Sequence, residues 1–340
     1  MSPDHLPAAP PPDSAEPREV APGILWLRRP MPLPLGHVNL WLLEDGAGFC
    51  AIDAGGDYPG HRPLWEEAFA GLLRDRPITR ILVTHCHPDH AGLAGWLAAR
   101  SGAPVLMSRG ESARYRHMAA PRPAEATEAT RDFYARCGLS AVQVAAMLGR
   151  RARFQALLTP LPEQVVPVAA GEVLRIGARR WRVHTGGGHA PEQVMLESLD
   201  DAVFIAADQV LPAITPHIGA DPERRGQDPL ALYLASLRDL RAARDDVLVL
   251  PSHGLPWHGL HRRLAAIAAH HAGRLDRLLG AGDAITAMQA LPLLFRRDLG
   301  EAALGFAVTE AMAHLLHLEA QGRMRRLDDA LWRWQPVQKS

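Results

Sequence analysis

The sequence predicts an α/β fold, a sandwich of two β-sheets with helices on the outside. Two observations support this prediction. Short apolar runs of β-like character, bounded by turn residues, occur in two separate stretches, 24–53 and 165–251. Each stretch is followed by segments with the apolar spacing of helices. Two such halves in succession favour two sheets that pack face to face.

The first half contains β-like runs and one strand–helix–strand unit. Glu44-Asp45-Gly46 is typical of a hairpin turn between two of the runs. In chain order, the predicted elements are strands at 24–27, 37–43 and 48–53, a helix at 61–75, a strand at 80–84, a helix at 93–100 and a strand at 104–108.

A helical insertion at 110–158 separates the two halves. It is rich in Ala and Arg and has helical periodicity with a break near Gly138. This pattern predicts two or three helices, a candidate cap over a functional site. The second half then resumes the β-pattern, with predicted strands at 165–168, 174–176, 181–184, 193–199, 203–207 and 247–251.

The C-terminal segment, 261–340, predicts a small separate domain. Three helices (260–279, 284–294, 301–321) precede a hairpin (324–327, 330–334), a winged-helix-like pattern. DNA binding is one interpretation, and a packing or dimerisation appendage is the other. The presumed third helix carries Glu310, His314, His317 and Glu319, which suit phosphate contacts poorly. Nucleic acid is therefore not expected as a partner, and a homodimer is left open.

Composition indicates an ordinary globular protein. Of 340 residues, 47% are hydrophobic and 22% charged, and Lys+Arg and Asp+Glu each number 37. Zero net charge argues against a general nucleic-acid or acidic-membrane binder. Residues 1–19, rich in Pro and Ala, predict a disordered lead without signal-peptide features. No apolar run approaches the ~20 residues that span a bilayer, and three scattered cysteines favour a cytoplasmic location.

A cluster of potential metal ligands directly follows the strand at 80–84. It reads His85-Cys86-His87-Pro88-Asp89-His90. Imidazole and carboxylate are the donors that bind zinc, iron or manganese. A turn after a strand can direct His85 and His87 towards one metal ion and Asp89 and His90 towards a second. The alternative is a His-rich surface turn, but four donors rarely cluster in this way without a ligand. Cys86 is expected to point away from the metal.

Further ligands for a two-metal site are predicted at other strand ends. His189 follows Gly186-Gly187-Gly188, where glycine lets the backbone pass close to a ligand. Asp208 follows the strand at 203–207, and His253 follows the strand at 247–251. Each is weak alone, because a lone histidine at a strand end is more often a hydrogen-bonding residue. In this order after the cluster, they point to a metal centre.

Over residues 20–260 the chain resembles the metallo-β-lactamase-fold hydrolases. Asp53 matches the first family motif, the cluster matches the second, and His189, Asp208 and His253 match the third to fifth. The resemblance implies an αββα sandwich, here with a helical insertion and a winged-helix-like C-terminal domain. It also implies two divalent metal ions, Zn²⁺ with Mn²⁺ or Fe²⁺ as alternatives. The implied ligands are His85, His87 and His189 for one ion and Asp89, His90 and His253 for the other, with Asp208 bridging and Asp53 orienting the histidine loop.

Within that superfamily the chain is most similar to the glyoxalase II-like and LACTB2-like hydrolases, and the latter also carry a winged-helix-like C-terminal segment. The stretches 33–41 and 208–212 are similar to a bacterial subgroup described only as metal-dependent hydrolases. After His189 the chain reads Ala190-Pro191-Glu192-Gln193 where the glyoxalase pattern has Thr-x-Gly-Ser. This departure argues against a glutathione-thioester substrate.

The implied activity is hydrolysis of an ester-like bond. Two metal ions about 3.5–4 Å apart share one water and lower its pKa towards neutrality. Asp89 and Asp208 are the carboxylates expected to take part in catalysis. The predicted substrate is a small-molecule or carrier-bound acyl thioester, with a lactone as alternative. His217, Tyr233 and His258 follow the last ligands closely in sequence and are candidate substrate-binding residues, with rim or packing roles as the alternative.

Other activities remain open on the same ligand set. A phosphodiesterase or nuclease is one, a mononuclear-iron oxidoreductase of the persulfide dioxygenase type is another, and a non-enzymatic sensor is a third. One iron per chain would favour the dioxygenase, whereas two zinc or manganese ions would favour hydrolysis. The arginines of the insertion either hold a substrate phosphate or carboxylate or form a solvated helix face; they are Arg109, Arg114, Arg116, Arg150, Arg151 and Arg153.

Overall fold

A computed structural model describes residues 4–5, 17–32, 34–121, 123–295, 299–328 and 330–337. Its strands are β1 (Asp4–His5), β2 (Arg18–Ala21), β3 (Ile24–Pro30), β4 (His37–Asp45), β5 (Gly48–Ile52), β6 (Ile78–Leu82), β7 (Val105–Met107), β8 (Val166–Pro167), β9 (Val173–Ile176), β10 (Arg179–Gly186), β11 (Gln193–Ser198), β12 (Val203–Ala207), β13 (Leu248–Pro251), β14 (Trp257–His258), β15 (Met324–Asp328) and β16 (Trp332–Pro336). Its helices are α1 (His61–Ala70), α2 (Pro88–Ala91), α3 (Ala94–Ser101), α4 (Arg109–Ala119), α5 (Ala124–Arg136), α6 (Ala141–Gln155), α7 (Pro229–Asp239), α8 (Leu260–Leu279), α9 (Ala287–Leu294) and α10 (Glu301–Ala320).

The predicted disordered lead, 1–19, falls mostly outside the described residues. The parts inside them correct the prediction. Asp4–His5 pairs with Trp257–His258, and β2 already begins at Arg18. Pairing of β2 with β3 supplies the backbone partners that make this stretch a strand.

The strands form two seven-stranded sheets and a short hairpin. The first sheet has the order β2-β3-β4-β5-β6-β7-β8 and the second the order β1-β14-β13-β12-β11-β10-β9. Strands β5 to β8 run parallel to one another, and so do β12 and β13. Strand β10 is antiparallel to β11, which is antiparallel to β12, so β10 runs in the direction of β12. The carboxyl ends of neighbouring parallel strands therefore lie at one edge of each sheet.

Three hydrophobic clusters explain the layers. Trp41 of β4 lies in the cluster between the two sheets, whereas its neighbour Leu42 lies in the cluster that contains Trp65 of α1. Successive strand residues point to opposite faces, so β4 is buried on both sides. Phe204 of β12 lies in a third cluster with Leu264 of α8. Helices thus cover the outer face of each sheet, which confirms the predicted αββα sandwich.

The insertion consists of three helices, α4, α5 and α6. Ser108 caps α4 by accepting a hydrogen bond from the Glu111 backbone. Ser140 and Gln143 form a capping box at the start of α6. Gly138, with a φ of 96°, takes a left-handed conformation between α5 and α6, at the predicted break.

The C-terminal helices α8, α9 and α10 precede the β15–β16 hairpin, which is the predicted order of elements. Ile285 extends the hairpin by exchanging two backbone hydrogen bonds with Trp334, at 3.0 and 2.8 Å. Helix α10 also reaches the first domain, because the Thr309 carbonyl accepts a hydrogen bond from the Ala220 backbone at 2.8 Å. None of the helices in the described part of the chain combines the length and apolarity needed to cross a membrane.

Two histidines are buried between α8 and α10. Neither His271 nor His314 has exposed surface, and Nδ1 of His271 lies 3.1 Å from Nε2 of His314. Burial lowers the pKa of His271 to about 2 and that of His314 to about 3. Burial is the largest cause of both shifts, and the nearby groups His270, Arg274 and His317 contribute to both. Both rings are therefore neutral in the folded protein at mildly acidic pH.

Acid is expected to destabilise the protein through this histidine pair. The unfolded chain takes up protons near pH 6.5 and the folded chain does not, so the free energy of unfolding falls as pH drops below about 6.5. At pH 5 the loss is at most about 2 kcal/mol per histidine. Urea unfolding at pH 7 and at pH 5 measures this loss in the free energy of unfolding. The double variant His271→Phe/His314→Leu should lose less stability than the wild type, and the exposed-histidine control His258→Gln should match the wild type. Identical losses in all three proteins would refute the assignment.

Candidate metal centre

The predicted ligands converge at the edge where the carboxyl ends of five strands meet. Asp53 follows β5, the 85–90 loop follows β6, and Asp208 follows β12. His189 and His253 come shortly after β10 and β13. The short helix α2, which starts at Pro88, turns the chain within the cluster and separates its first two histidines from its last two ligands.

Asn39 ties the two sheets together at this edge. Its side-chain amide donates to the carbonyls of Pro251 and Gly254, at 2.9 and 2.8 Å, and its carbonyl accepts from Trp26 Nε1 at 2.8 Å. These bonds fix both ends of the segment that contains His253. Sequence reasoning missed this residue, since an asparagine within an apolar run gives no signal of a partner 212 residues away.

The first group of ligands contains three histidines. Nδ1 of His87 lies 3.0 Å from Nε2 of His85 and 3.0 Å from Nε2 of His189. The three donor nitrogens all lie within 4.8 Å of one another. This convergence of imidazole nitrogens is suited to a transition-metal ion.

The second group contains Asp89, His90 and His253. Oδ2 of Asp89 lies 3.5 Å from Nε2 of His90 and 3.5 Å from Nε2 of His253. Their donor atoms also lie within 4.8 Å of one another. One carboxylate and two imidazoles give a second possible set of metal ligands.

Asp208 lies between the two groups. Its Oδ2 is 3.3 Å from Nε2 of His189 in the first group. Its Oδ1 is 3.5 Å from Nε2 of His90 and 3.4 Å from Nε2 of His253 in the second. The two oxygens of one carboxylate thus face different groups, as a bridging ligand requires. The structure brings all seven sequence-predicted ligands together.

The outer nitrogens of the histidines are fixed by acceptors. Nδ1 of His189 donates to the His217 carbonyl at 2.9 Å, and Nδ1 of His253 donates to the His37 carbonyl at 2.7 Å. A carbonyl can only accept, so each Nδ1 carries the proton and each Nε2 presents its lone pair to the centre. Such partners orient ligand imidazoles and raise their basicity.

Asp53 holds the histidine loop through three hydrogen bonds. Its carboxylate accepts from the Thr84 backbone at 2.7 Å, from Thr84 Oγ1 at 2.9 Å and from His90 Nδ1 at 2.8 Å. Asp53 has a φ of 63° and Ala207, directly before Asp208, a φ of 47°. Residues other than glycine rarely adopt this conformation, and such strain is typical of functional sites.

Glu111 is a functional residue that sequence reasoning missed. It is fully buried in the first turn of α4. Its Oε2 accepts from the Cys86 backbone at 2.9 Å and its Oε1 from the Glu192 backbone at 2.6 Å. One side chain therefore holds both the 85–90 loop and the loop after His189. The only signal in the sequence was its place three residues after Ser108, which indicates helix capping and no more.

The pKa values of four of the ligand side chains are those expected at a site that binds a cation. The pKa values of Asp89 and Asp208 are lowered, because the nearby histidines outweigh the effect of burial. Burial would lower the pKa of His253, but the Asp208 and Asp89 carboxylates raise it to about 10. Burial likewise lowers the pKa of His85 and His87 far below its usual value, so both are neutral. The ionised carboxylates and the neutral imidazoles of His85 and His87 are in the form that binds metal, whereas His253 must lose a proton when a metal ion binds.

Buried atoms without partners provide a test of whether metal ions fit. Among the described residues, Nε2 of His90, Nε2 of His253 and Oδ1 of Asp208 are buried and have no hydrogen-bond partner. Buried polar atoms of this kind are rare and need an explanation. All three point into the same centre, so a bound cation satisfies them together. Cys86 is buried and belongs to none of the ligand groups, as predicted.

Two of the three predicted substrate-binding residues do not line the centre. Tyr233 is fully buried, and its hydroxyl donates to the Gln209 carbonyl at 3.0 Å. His258 lies beside the Val247 carbonyl, at the end of β13 opposite His253, because β14 runs antiparallel to β13. His217 is near the centre, but its ring contacts Thr309 Oγ1 at 3.0 Å. The pocket roles of Tyr233 and His258 are therefore corrected to packing and surface roles.

The arginines of the insertion separate into different environments. Arg114 pairs with Asp221 at 2.7 Å and with Glu223 at 3.0 Å, and Arg151 pairs with Glu223 at 3.1 Å. Arg109, Arg116 and Arg153 are exposed. Arg114 and Arg151 thus fasten the insertion to the loop after Asp208. Because both arginines are paired with carboxylates of the chain, they neither serve as ligands for a substrate anion nor form a solvated helix face. The remaining arginine of this set, Arg150, contacts aromatic rings.

The comparisons with known proteins agree with this architecture. The family described as the metallo-beta-lactamase superfamily matches residues 33–253, and a metallo-beta-lactamase-like C-terminal domain matches residues 275–337. No curated protein matches the chain. A beta-lactamase domain protein from Burkholderia ambifaria is 38% identical, with a TM-score of 0.90 over 98% of each chain.

Two further solved structures are similar. A metallo-beta-lactamase family protein from Thermus thermophilus is 29% identical, with a TM-score of 0.79 over 94% of this chain and 100% of that one. The stereoselective inverting sec-alkylsulfatase from a Pseudomonas species is 18% identical, with a TM-score of 0.59 over 88% of this chain and 49% of that one, which shows the fold alone. The first domain, the C-terminal domain and the set of metal ligands lead to one conclusion: the chain belongs to the metallo-beta-lactamase superfamily.

Proposed function

We propose that the protein is a two-metal hydrolase that cleaves an acyl thioester, with a lactone as the alternative ester-like substrate. The observation that supports it best is the position of Asp208 between two complete ligand groups. A mononuclear iron centre of two histidines and one aspartate would leave the second group without a role. The geometry therefore favours hydrolysis over the dioxygenase alternative.

The residues of the chain have distinct tasks in this proposal. His85, His87 and His189 would hold one ion, Asp89, His90 and His253 the other, and Asp208 both. When bound, two divalent cations polarise the scissile carbonyl and lower the pKa of water towards neutrality. Asp53 and the carbonyls of His37 and His217 keep the imidazoles aimed inward.

Asp89 is the carboxylate of the centre that reaches solvent. Its side chain is 17% exposed, compared with 8% for Asp208 and 2% for Asp53. Its lowered pKa keeps it ionised at neutral pH. We assign to it a catalytic role as the metal ligand that faces incoming water, since a carboxyl with a lowered pKa is a weak proton acceptor.

Four exposed apolar side chains, three of them close in sequence to His37, His217 or His253 and one in contact with His217, support an acyl substrate. Leu35 comes two residues before His37, and Leu255 comes two residues after His253. Ile214 lies in the loop between Asp208 and His217, and the ring of Phe306 in α10 lies 5.0 Å from that of His217. We define these four side chains as the apolar rim; they are Leu35, Ile214, Leu255 and Phe306. Apolar groups left in water around a functional site are typical of ligand-binding surfaces.

A substrate panel combined with metal analysis tests the proposal. We expect two divalent ions per chain and turnover of chromogenic thioesters in preference to β-lactams and phosphodiesters, with lactones as the next best class. The variant His189→Ala should lose metal and turnover, whereas His258→Ala, far from the centre, should keep both. A single iron per chain, or two ions without turnover of any thioester or lactone, would exclude the proposed activity.

A further inference from the structure

Arg150 of α6 has unusual surroundings. Its guanidinium carbon lies 4.4 Å from the centre of the Phe306 ring and 5.6 Å from that of Phe154. Its Nη1 is buried and has no hydrogen-bond partner within the described residues. Contacts with two aromatic rings stabilise the cation. They leave its hydrogen-bonding capacity, which lies in the plane of the guanidinium, unused.

Arg150 also lacks an acidic partner in the described part of the chain. Burial lowers its pKa, and the ionisable groups that act on it are Tyr134 and Arg153. Arg114 and Arg151 of the same insertion, in contrast, pair with carboxylates of the chain. Removing a cation from water without a counterion is unfavourable. Such a position is expected where a ligand supplies the anion. Nη1 itself is buried, but Arg150 as a whole is half-buried and so keeps some exposed surface.

A short series of contacts connects Arg150 to the metal centre. Phe306 contacts both Arg150 and His217, and the His217 carbonyl accepts from His189 Nδ1 at 2.9 Å. Next to Phe306, a Cβ on Gly305 would lie 2.8 Å from Nη1 of Arg150. Glycine at 305 thus leaves room for the side chains of both Met147 and Arg150. One aromatic ring and one histidine separate Arg150 from a metal ligand.

Building on the proposed function, we propose that Arg150 binds a carboxylate at the far end of the acyl chain whose thioester is cleaved at the metal centre. The Phe306 ring contacts both Arg150 and His217, so it lies between the guanidinium and the residue whose carbonyl holds the metal ligand His189. The planar guanidinium binds carboxylates through two parallel hydrogen bonds. The substrate class is then an acyl thioester with a terminal carboxylate, in preference to one with a plain alkyl end.

Two thioesters of equal chain length test the inference. The S-(4-nitrophenyl) monothioester of glutaric acid carries a terminal carboxylate, and the same thioester of pentanoic acid does not. We expect the wild type to prefer the glutaryl substrate. In Arg150→Gln, KM for the glutaryl substrate should rise roughly 10- to 100-fold, which corresponds to the loss of a hydrogen bond to a charged group. The kcat for this substrate should be nearly unchanged. KM for the pentanoyl substrate should stay within about twofold, and Arg150→Lys should recover part of the loss.

Arg153→Gln is the matched control, because Arg153 lies on the same helix and is exposed. It should behave as the wild type with both substrates. An equal loss on both substrates in Arg150→Gln would show a structural role and overturn the inference. The inference would also be overturned if the ratio of kcat/KM for the glutaryl substrate to kcat/KM for the pentanoyl substrate were the same in the wild type and in Arg150→Gln.

A binding measurement separates this inference from the proposed function. Calorimetry of the metal-loaded protein should show tighter binding of glutarate, which has two carboxylates, than of pentanoate, which has one, and Arg150→Gln should abolish the difference. If neither thioester is hydrolysed but this difference depends on Arg150, the anion site stands and the proposed function fails. If thioesters are hydrolysed but glutarate and pentanoate bind the wild type equally, the function stands and the anion site fails.

Discussion

Replacing Asp208 by alanine is expected to lower the metal content from two ions per chain to less than one and to reduce turnover at least about a thousandfold. The reason is its position, since one of its oxygens faces His189 and the other faces His90 and His253. No other described carboxylate lies between the two groups. Its loss also removes one of the charges that balance two cations.

Metal quantification after dialysis, followed by thioester turnover, measures this effect. His253→Ala serves as the comparison, because His253 lies in one ligand group alone. It should weaken one metal site more than the other and leave close to one ion bound. His258→Ala, away from the centre, should keep two ions. If Asp208→Ala retained both ions and full turnover, the bridging assignment would be wrong.

Replacing Glu111 by alanine is expected to have the second largest effect. It leaves the backbone N–H groups of Cys86 and Glu192 buried without an acceptor, at a cost of about 1–3 kcal/mol each. The loops that carry His87 and His189 then lose a common support. Metal affinity should fall about 10- to 100-fold, as for other residues that orient ligands.

Competition with a chelator and thermal unfolding of the same samples separate the two consequences. Glu111→Gln keeps one acceptor oxygen and should recover part of the metal affinity. Glu125→Ala is the matched control, because Glu125 is an exposed acid in the first turn of α5. It should bind metal as the wild type does. If Glu111→Ala lowered stability but left metal affinity intact, its positioning role would be refuted.

The metal ligands could be predicted from the sequence because the signal for each one lies within a few neighbouring residues. A polar donor that directly follows an apolar strand is visible in a window of a few residues, as with Asp208 after β12 and His253 after β13. The sandwich could be predicted for a similar reason. The strands show the short period of β-structure, and the parallel strand directions then bring their carboxyl ends to one edge.

The rest of the site depends on contacts that no short window contains. Glu111 binds Cys86 and Glu192, which are 25 and 81 residues away in sequence. Arg150 and Arg151 are adjacent residues of one type, yet one contacts aromatic rings and the other pairs with Glu223. Tertiary packing distinguishes them.

His258 shows the opposite error, because closeness in sequence was taken as closeness in space. Five residues after His253, the chain has turned back along β13 in an antiparallel strand. His258 is therefore carried away from the centre that His253 faces. Tyr233 was misassigned for a related reason, since a tyrosine near the ligands in sequence can point into the core.

The ion pairs of Glu223 have a consequence for the metal-binding equilibrium of the site. Glu223 joins Arg114 of α4 and Arg151 of α6 to the loop that follows Asp208, while Glu111 joins α4 to the 85–90 loop. The insertion is thus held by the same loops that hold the ligands. Opening of the insertion and release of metal are therefore linked equilibria, each of which favours the other by the same factor. Amide hydrogen exchange in α4 and α6 should accordingly report on metal occupancy, although neither helix supplies a ligand.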